Sequence, residues 1–307
     1  MHYHYVQAVR VLHSFSGWSV GYMYADPEVK DGQVGYVTHS SNPGLHQLDL
    51  LSKSYKGFVN VSNYGCAGTV DMAFSSVNKH VFVECYASRR SVALLEMDVA
   101  SDQIVEKWNV SGDPYASPDG RYIVTLYKTV NEAANLLLDS KVYVLFIPDT
   151  NSHAVFKSKF EIPGGVSKLA FVKKTGQQGG YLAYISLLYS DKIAVIDLDQ
   201  LESYASKISY IEGVGSVFTA PGMHAVQRSL LGSGPWLVSP ATANNSVAII
   251  NTATRELHGM AVGVVGGRLL FAVHSSQFSL GGAAEKICFS RETLIVILLF
   301  SFHKVIA

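Results

Sequence analysis

Three charged residues, Asp71, Asp113 and Lys168, recur near the start of strand-like segments and are the first candidates for chemistry in this chain. Alignment of those segments puts them at equivalent positions. Two outcomes are open there: holding a small ligand, a metal or a partner loop, or serving as hydrogen-bonded residues of a channel wall. Cys66 precedes one strand-like segment and Cys85 lies in the next. With the intervening turn centred near Val77, Cys85 faces Thr69, about three residues from Cys66. That register leaves either a Cys66–Cys85 disulfide or two separate buried thiols. There are 11 histidines, and His2 and His4 alternate on one face of any strand. A metal site needs three or four convergent ligands; no histidine or cysteine spacing supplies them, so no metal or cofactor is expected.

The motifs of common enzyme classes do not occur. There is no Gly-x-Ser-x-Gly elbow, His-Glu-x-x-His, phosphate-binding loop or dinucleotide fingerprint. Acidic residues are scattered, so paired-carboxylate glycosidase chemistry has no local support. Formal net charge is zero, so no basic field attracts nucleic acid, and none is expected as a partner. The apolar run from Thr293 to Phe302 is about ten residues, against the ~20 a spanning helix needs, so no membrane span is expected. It reads as a packed strand or helix.

The elements that must position these residues come from a repeat. Five segments end alike: His46-Gln47-Leu48-Asp49, Leu95-Glu96-Met97-Asp98, Leu145-Phe146-Ile147-Pro148, Ala194-Val195-Ile196-Asp197 and Ala248-Ile249-Ile250-Asn251. Their last residues are 49, 50, 49 and 54 positions apart, which signals a repeat architecture. Within one unit, Thr69–Phe74, His80–Tyr86, Val92–Met97 and Ile104–Val110 read as four strands joined by hairpin-length turns. That is one propeller blade. The next unit contains the turn Ser117-Pro118-Asp119-Gly120-Arg121-Tyr122, then a longer connection over Asn131–Ser140. A later unit takes its first strand from Met223–Val226, and an earlier one, from Gly35, lacks part of its first strand. Arg268–Val273 reads as the inner strand of a following blade, and Tyr5–Phe15 as the outer strand of a preceding one.

The expected fold class is all-β, a propeller of four-stranded blades, six or seven in number. It spans 1–275, with an off-pattern tail over 276–307. Of 307 residues 48% are hydrophobic and 16% charged, which provides for a large core, and the 17 Tyr, 14 Phe and 26 Gly favour strands and turns.

The Ser117–Tyr122 turn and the endings Ala194–Asp197 and Ala248–Thr254 resemble the YVTN-type β-propeller repeat. No Trp-Asp dipeptide occurs, which disfavours WD40. More narrowly, Tyr64–Phe74 and His80–Cys85 resemble the C-terminal propeller-like region of the larger follistatin-like (follistatin-related) secreted proteins. That resemblance implies a non-enzymatic, extracellular protein-binding scaffold and a protein partner. Its family carries follistatin, EF-hand and immunoglobulin modules; no EF-hand loop occurs here, so calcium binding is not implied. The sequons at Asn60, Asn109 and Asn244 fit a glycoprotein. Residues 1–5 show no signal-peptide pattern, which fits either the later part of a longer secreted chain or a cytosolic protein. The alternatives are a lactonase-like propeller enzyme with its site at the channel mouth, and a cytosolic interaction platform.

Overall fold

The computed structural model describes residues 20–24, 34–88, 90–131, 136–174, 179–201, 208–214, 231–233, 235–241, 246–262, 269–272 and 295–298. The first sheet holds β1 (Val20–Tyr24), β2 (Val34–His39), β3 (Gly44–Asp49) and β4 (Ser54–Asn60). The second holds β5 (Gly68–Phe74), β6 (His80–Ala87), β7 (Arg90–Asp98) and β8 (Gln103–Trp108). β9 (Asp113–Ala116), β10 (Tyr122–Asn131), β11 (Leu136–Phe146) and β12 (Val155–Glu161) make the third. The fourth comprises β13 (Val166–Lys173), β14 (Tyr181–Leu187), β15 (Ile193–Asp197) and β16 (Ile208–Ile211). The fifth comprises β17 (Leu231–Ser233), β18 (Trp236–Ala241), β19 (Ser246–Asn251) and β20 (Glu256–Val262). Each is an antiparallel meander in sequence order, the blade unit of a β-propeller. β21 (Leu269–Ala272) pairs antiparallel with β22 (Ile295–Leu298). Among the described residues there is one short 3-10 turn, at Ser62–Tyr64, and no helix long and apolar enough to cross a membrane.

Four details differ from the sequence reading. The first blade has a complete first strand, β1, farther upstream than the pattern showed. Most of the long connection over Asn131–Ser140 is strand, because β11 starts at Leu136. The strand paired with β18 is Leu231–Ser233; Met223–Val226 lies outside the described residues, as do Tyr5–Phe15, His2, His4 and Asn244. In the third blade the turn acid is Asp149, one residue after Pro148.

That acid explains the repeat. Asp49 Oδ1 accepts from Ser52 N at 2.7 Å, Asp98 Oδ1 from Ala100 N at 2.9 Å and Asp149 Oδ1 from Asn151 N at 2.9 Å. Asp197 Oδ1 accepts from Asp199 N at 3.0 Å, and Asn251 Oδ1 from Ala253 N at 2.9 Å. Each third strand therefore ends in a side-chain-closed turn, which Asp and Asn alone build well.

The chain divides into two compact units, Met1–Tyr127 with Tyr143–Phe156, and Lys128–Val142 with Lys157–Ala307. In the first unit β5 packs against β1, β2 and β9. The second sheet there is buried on both faces. Val83, Cys85, Leu95 and Met97 pack with Tyr36 and Leu45 of the first sheet. The alternate residues Phe82 and Leu94 pack with Ile123, Leu145 and Ile147. Period-two alternation thus yields near-continuous apolar strands. Glu84 and Glu96, both buried, interrupt the second face. In the other unit β17 packs against β13 and β21, over a core that includes Tyr184, Ile193, Leu237 and Ile250.

Candidate functional site

β-Bulges set the positions of two of the three charged candidates. In β5 the pairing steps from Thr69↔Cys85 to Met72↔Val83, leaving Val70 and Asp71 opposite a single residue. In β13 it steps from Val166↔Leu187 to Leu169↔Ile185, leaving Ser167 and Lys168. Asp71 and Lys168 therefore occupy matching bulge positions. A bulge frees backbone groups that need other partners: Thr38 Oγ1 donates to Val70 O at 2.6 Å, and Lys168 N donates to Ser186 Oγ at 3.2 Å. Asp113 opens β9, paired with Leu126, and lies three residues before the end of its strand just as Asp71 does.

Asp71 lines a cleft of about 410 Å³ within the first unit, between β5 and β9 and their hairpins. Met72, Phe74, Pro114, Tyr115 and Pro118 form much of the rest. Asp113 stands next to Pro114 but does not line it, and Lys168 belongs to the other unit. Among the described residues of the lining there is one carboxylate and no imidazole, thiol or amine. One anion sits among apolar, proline and hydroxyl-bearing side chains.

The two hairpins beside the cleft are tied together. Ser75 Oγ donates to Gly120 O at 2.7 Å, tying the β5–β6 hairpin to the β9–β10 hairpin. Within the latter, Ser117 N donates to Tyr122 O at 2.9 Å, Tyr122 N to Ser117 Oγ at 2.9 Å and Arg121 N to Asp119 Oδ1 at 3.2 Å. Gly120 has φ +72, and a Cβ there would lie 2.6 Å from Ser76 N. The Ser-Pro-Asp-Gly-Arg-Tyr phrase is thus a turn that interlocks two blades.

Cys66 and Cys85 are joined in a disulfide, with Cα atoms 5.2 Å apart. Cys85 pairs with Thr69 in the ladder. The chain reverses through the Ser62–Tyr64 turn and Gly65 (φ +84) ahead of Cys66, and Ala67 N donates to Tyr86 O at 2.8 Å. This brings Cys66 alongside β6. Asn60 and Asn109 are exposed at the matching ends of β4 and β8, each followed by a buried valine, Val61 and Val110.

A polar cluster that sequence reasoning missed is built around Glu96, which is 0% exposed. Its Oε1 lies 2.7 Å from His80 Nδ1, whose Nδ1–H tautomer donates to it, and accepts from Asn78 Nδ2 at 3.2 Å. Oε2 accepts from Trp108 Nε1 at 3.1 Å, and Ala154 N lies 3.3 Å from both oxygens. His153 Nδ1 is 3.8 Å from Oε1. The spacing signal was absent because His153 stands in the turn after β11, 57 residues from Glu96. Only the strand register of Glu96, on the face shared with Leu94 and Phe82, pointed toward that turn.

Elsewhere, burial pushes the Tyr36 phenol well above its ordinary value, reinforced by the Asp102 carboxylate that accepts its proton at 2.7 Å.

No protein-family model matches the chain. Among solved structures, AztD from Citrobacter koseri, a β-propeller protein, superposes with a TM-score of 0.52 at 12% identity, over 85% of this chain and 64% of that one. A chain of the Mitotic Checkpoint Complex crystal structure superposes with a TM-score of 0.55 at 14% identity, over 81% of this chain and 65% of that one. This chain thus spans less than two thirds of each matched chain. At such identities the likeness concerns the fold: the chain is an all-β protein of the β-propeller class.

Proposed function

We propose that this chain is a non-enzymatic, extracellular protein-binding scaffold, the C-terminal propeller portion of a follistatin-like secreted glycoprotein. The β5–β9 cleft carries the reading. Its Met72, Phe74, Pro114, Tyr115 and Pro118 offer apolar and ring surfaces, with the Asp71 carboxylate among them. An extended partner segment with a basic residue set between apolar ones matches that lining. The Cys66–Cys85 disulfide supports an oxidising compartment, and the exposed Asn60 and Asn109 sequons support glycosylation there.

The test uses the full chain displayed against a random peptide library. Selected peptides are expected to carry Lys or Arg flanked by apolar residues, and to bind Asp71→Asn and Tyr115→Ala at least ~10-fold more weakly, about 1.4 kcal/mol each. Equal binding to all three forms overturns the proposal. Hydrolysis of simple lactones, lost on Asp71→Asn or Asp113→Asn, overturns it in favour of the enzyme.

A further inference from the structure

Two imidazoles and one carboxylate meet outside the cleft, where neither the repeat nor the proposed binding surface uses them. The ligand-capable atoms of His80, Glu96 and His153 all lie within 4.8 Å of one another. We propose that these three residues form a binding site for a zinc-class divalent cation, with a fourth coordination position open to solvent.

The donor set is the first reason. Neutral imidazole nitrogens with one carboxylate oxygen suit zinc and its borderline neighbours, whereas calcium and magnesium take oxygen ligands. Preorganisation is the second. Glu96 Oε2 is held by Trp108 Nε1 and Ala154 N, while Oε1 faces the two histidines and also receives Asn78 Nδ2 at 3.2 Å. That amide lies 3.1 Å from His80 Nδ1 and turns aside to its Ser152 O acceptor when a cation enters. Carboxylate ligands oriented by outer partners in this way are a regular part of metal sites. Access is the third: side-chain exposure rises from 0% at Glu96 to 12% at His80 and 55% at His153, which marks an entry path.

Binding asks for small movements. Ligand bonds of about 2.0–2.1 Å in a tetrahedral site put ligand atoms roughly 3.3–3.5 Å apart. His80 Nδ1 and Glu96 Oε1, at 2.7 Å, must open slightly. His153 Nδ1, at 3.8 Å from Oε1, must close in, and its exposed position leaves it room to do so. His80 then presents Nδ1 as a lone pair and carries its proton on Nε2. The bound cation would tie the turn after β11 to β6 and β7, all within the first unit.

The experiment is a zinc chloride titration of the full chain, freed of metal with EDTA and then desalted, against a chromophoric chelator. Thermal unfolding is followed in parallel. One equivalent is expected to bind tightly and raise the melting temperature. His153→Ala replaces an exposed side chain and leaves the buried Glu96 contacts in place. It is expected to weaken that equivalent by ~100-fold and abolish the thermal shift. A His2→Ala/His4→Ala variant is expected to behave like the parent, separating this site from other histidines. Absence of a one-equivalent site, an unchanged affinity in His153→Ala, or loss on His2→Ala/His4→Ala instead overturns the proposal. Peptide binding at the cleft is unaffected by any of these outcomes.

Discussion

Glu96→Gln tests whether the buried carboxylate is the polar keystone of the first unit. The side chain keeps its volume, so no cavity term enters. What changes is acceptor capacity. Glu96 now receives four donors: Asn78 Nδ2, His80 Nδ1, Trp108 Nε1 and Ala154 N. Glutamine's better orientation keeps its oxygen at the Oε1 end, where His80 and Asn78 converge, and turns its amide NH2 toward Trp108 Nε1. A donor then faces a donor in a buried site. A bond to a charged acceptor is worth about 1.5–3 kcal/mol, and an unsatisfied buried donor costs about 1–3. Easier burial of a neutral side chain offsets part of this. The net expectation is a loss of about 3 kcal/mol, read by equilibrium urea unfolding in EDTA so that no cation contributes. Trp108→Phe alone is expected to cost about 1–2 kcal/mol. Because it removes the clashing donor, the double variant should cost about 1–2 kcal/mol less than the sum of the singles. A Glu96→Gln effect below 1 kcal/mol, or strict additivity, would refute the reasoning.

Three further outcomes are expected. Cys85→Ser should cost about 3 kcal/mol by the loop-entropy relation for the 19-residue separation, and two independently alkylated cysteines in an unreduced digest would remove its basis. Gly120→Ala should cost roughly 1–3 kcal/mol, since it combines a left-handed backbone with a contact to the neighbouring hairpin; an unchanged urea midpoint would count against the interlocked turns. Tyr36 holds its proton more tightly folded than unfolded, so its contribution is complete below the unfolded value near 10 and is lost as pH rises from there through the folded value. The alkaline limb of stability against pH should therefore flatten in Tyr36→Phe, and an identical limb in both proteins would contradict the assignment.

The blade grammar was legible because local chemistry writes it. Asp49, Asp98, Asp197 and Asn251 each close their own turn within three residues, and Ser117 closes its turn on Tyr122, five residues on. The Thr69–Cys85 register could be counted across a short hairpin. What stayed hidden depends on contacts between blades. Glu96 looked like one polar residue in an apolar strand, and its partner turn at His153–Ala154 comes from another sheet. The bulges at Asp71 and Lys168 were hidden for a related reason. They depend on side-chain hydroxyls, Thr38 from the first sheet and Ser186 from the paired strand β14, that cover the opened ladder. The strand Leu136–Phe146 was missed at its start because the apolar run Leu136-Leu137-Leu138 is followed by Asp139 and Ser140.

The paired bulges separate two tasks that a strand usually gives to the same residue. A residue inside a regular ladder is constrained by its cross-strand neighbour, so changing it disturbs the sheet. Asp71 and Lys168 stand where the ladder is already interrupted, with Thr38 Oγ1 on Val70 O, Ser186 Oγ on Lys168 N and Asp71 Oδ1 itself accepting from Met72 N at 3.3 Å. Their side chains have taken opposite charges on the same backbone. At such positions the sign of the charge differs between blades while the four-stranded ladder on either side of the bulge is kept.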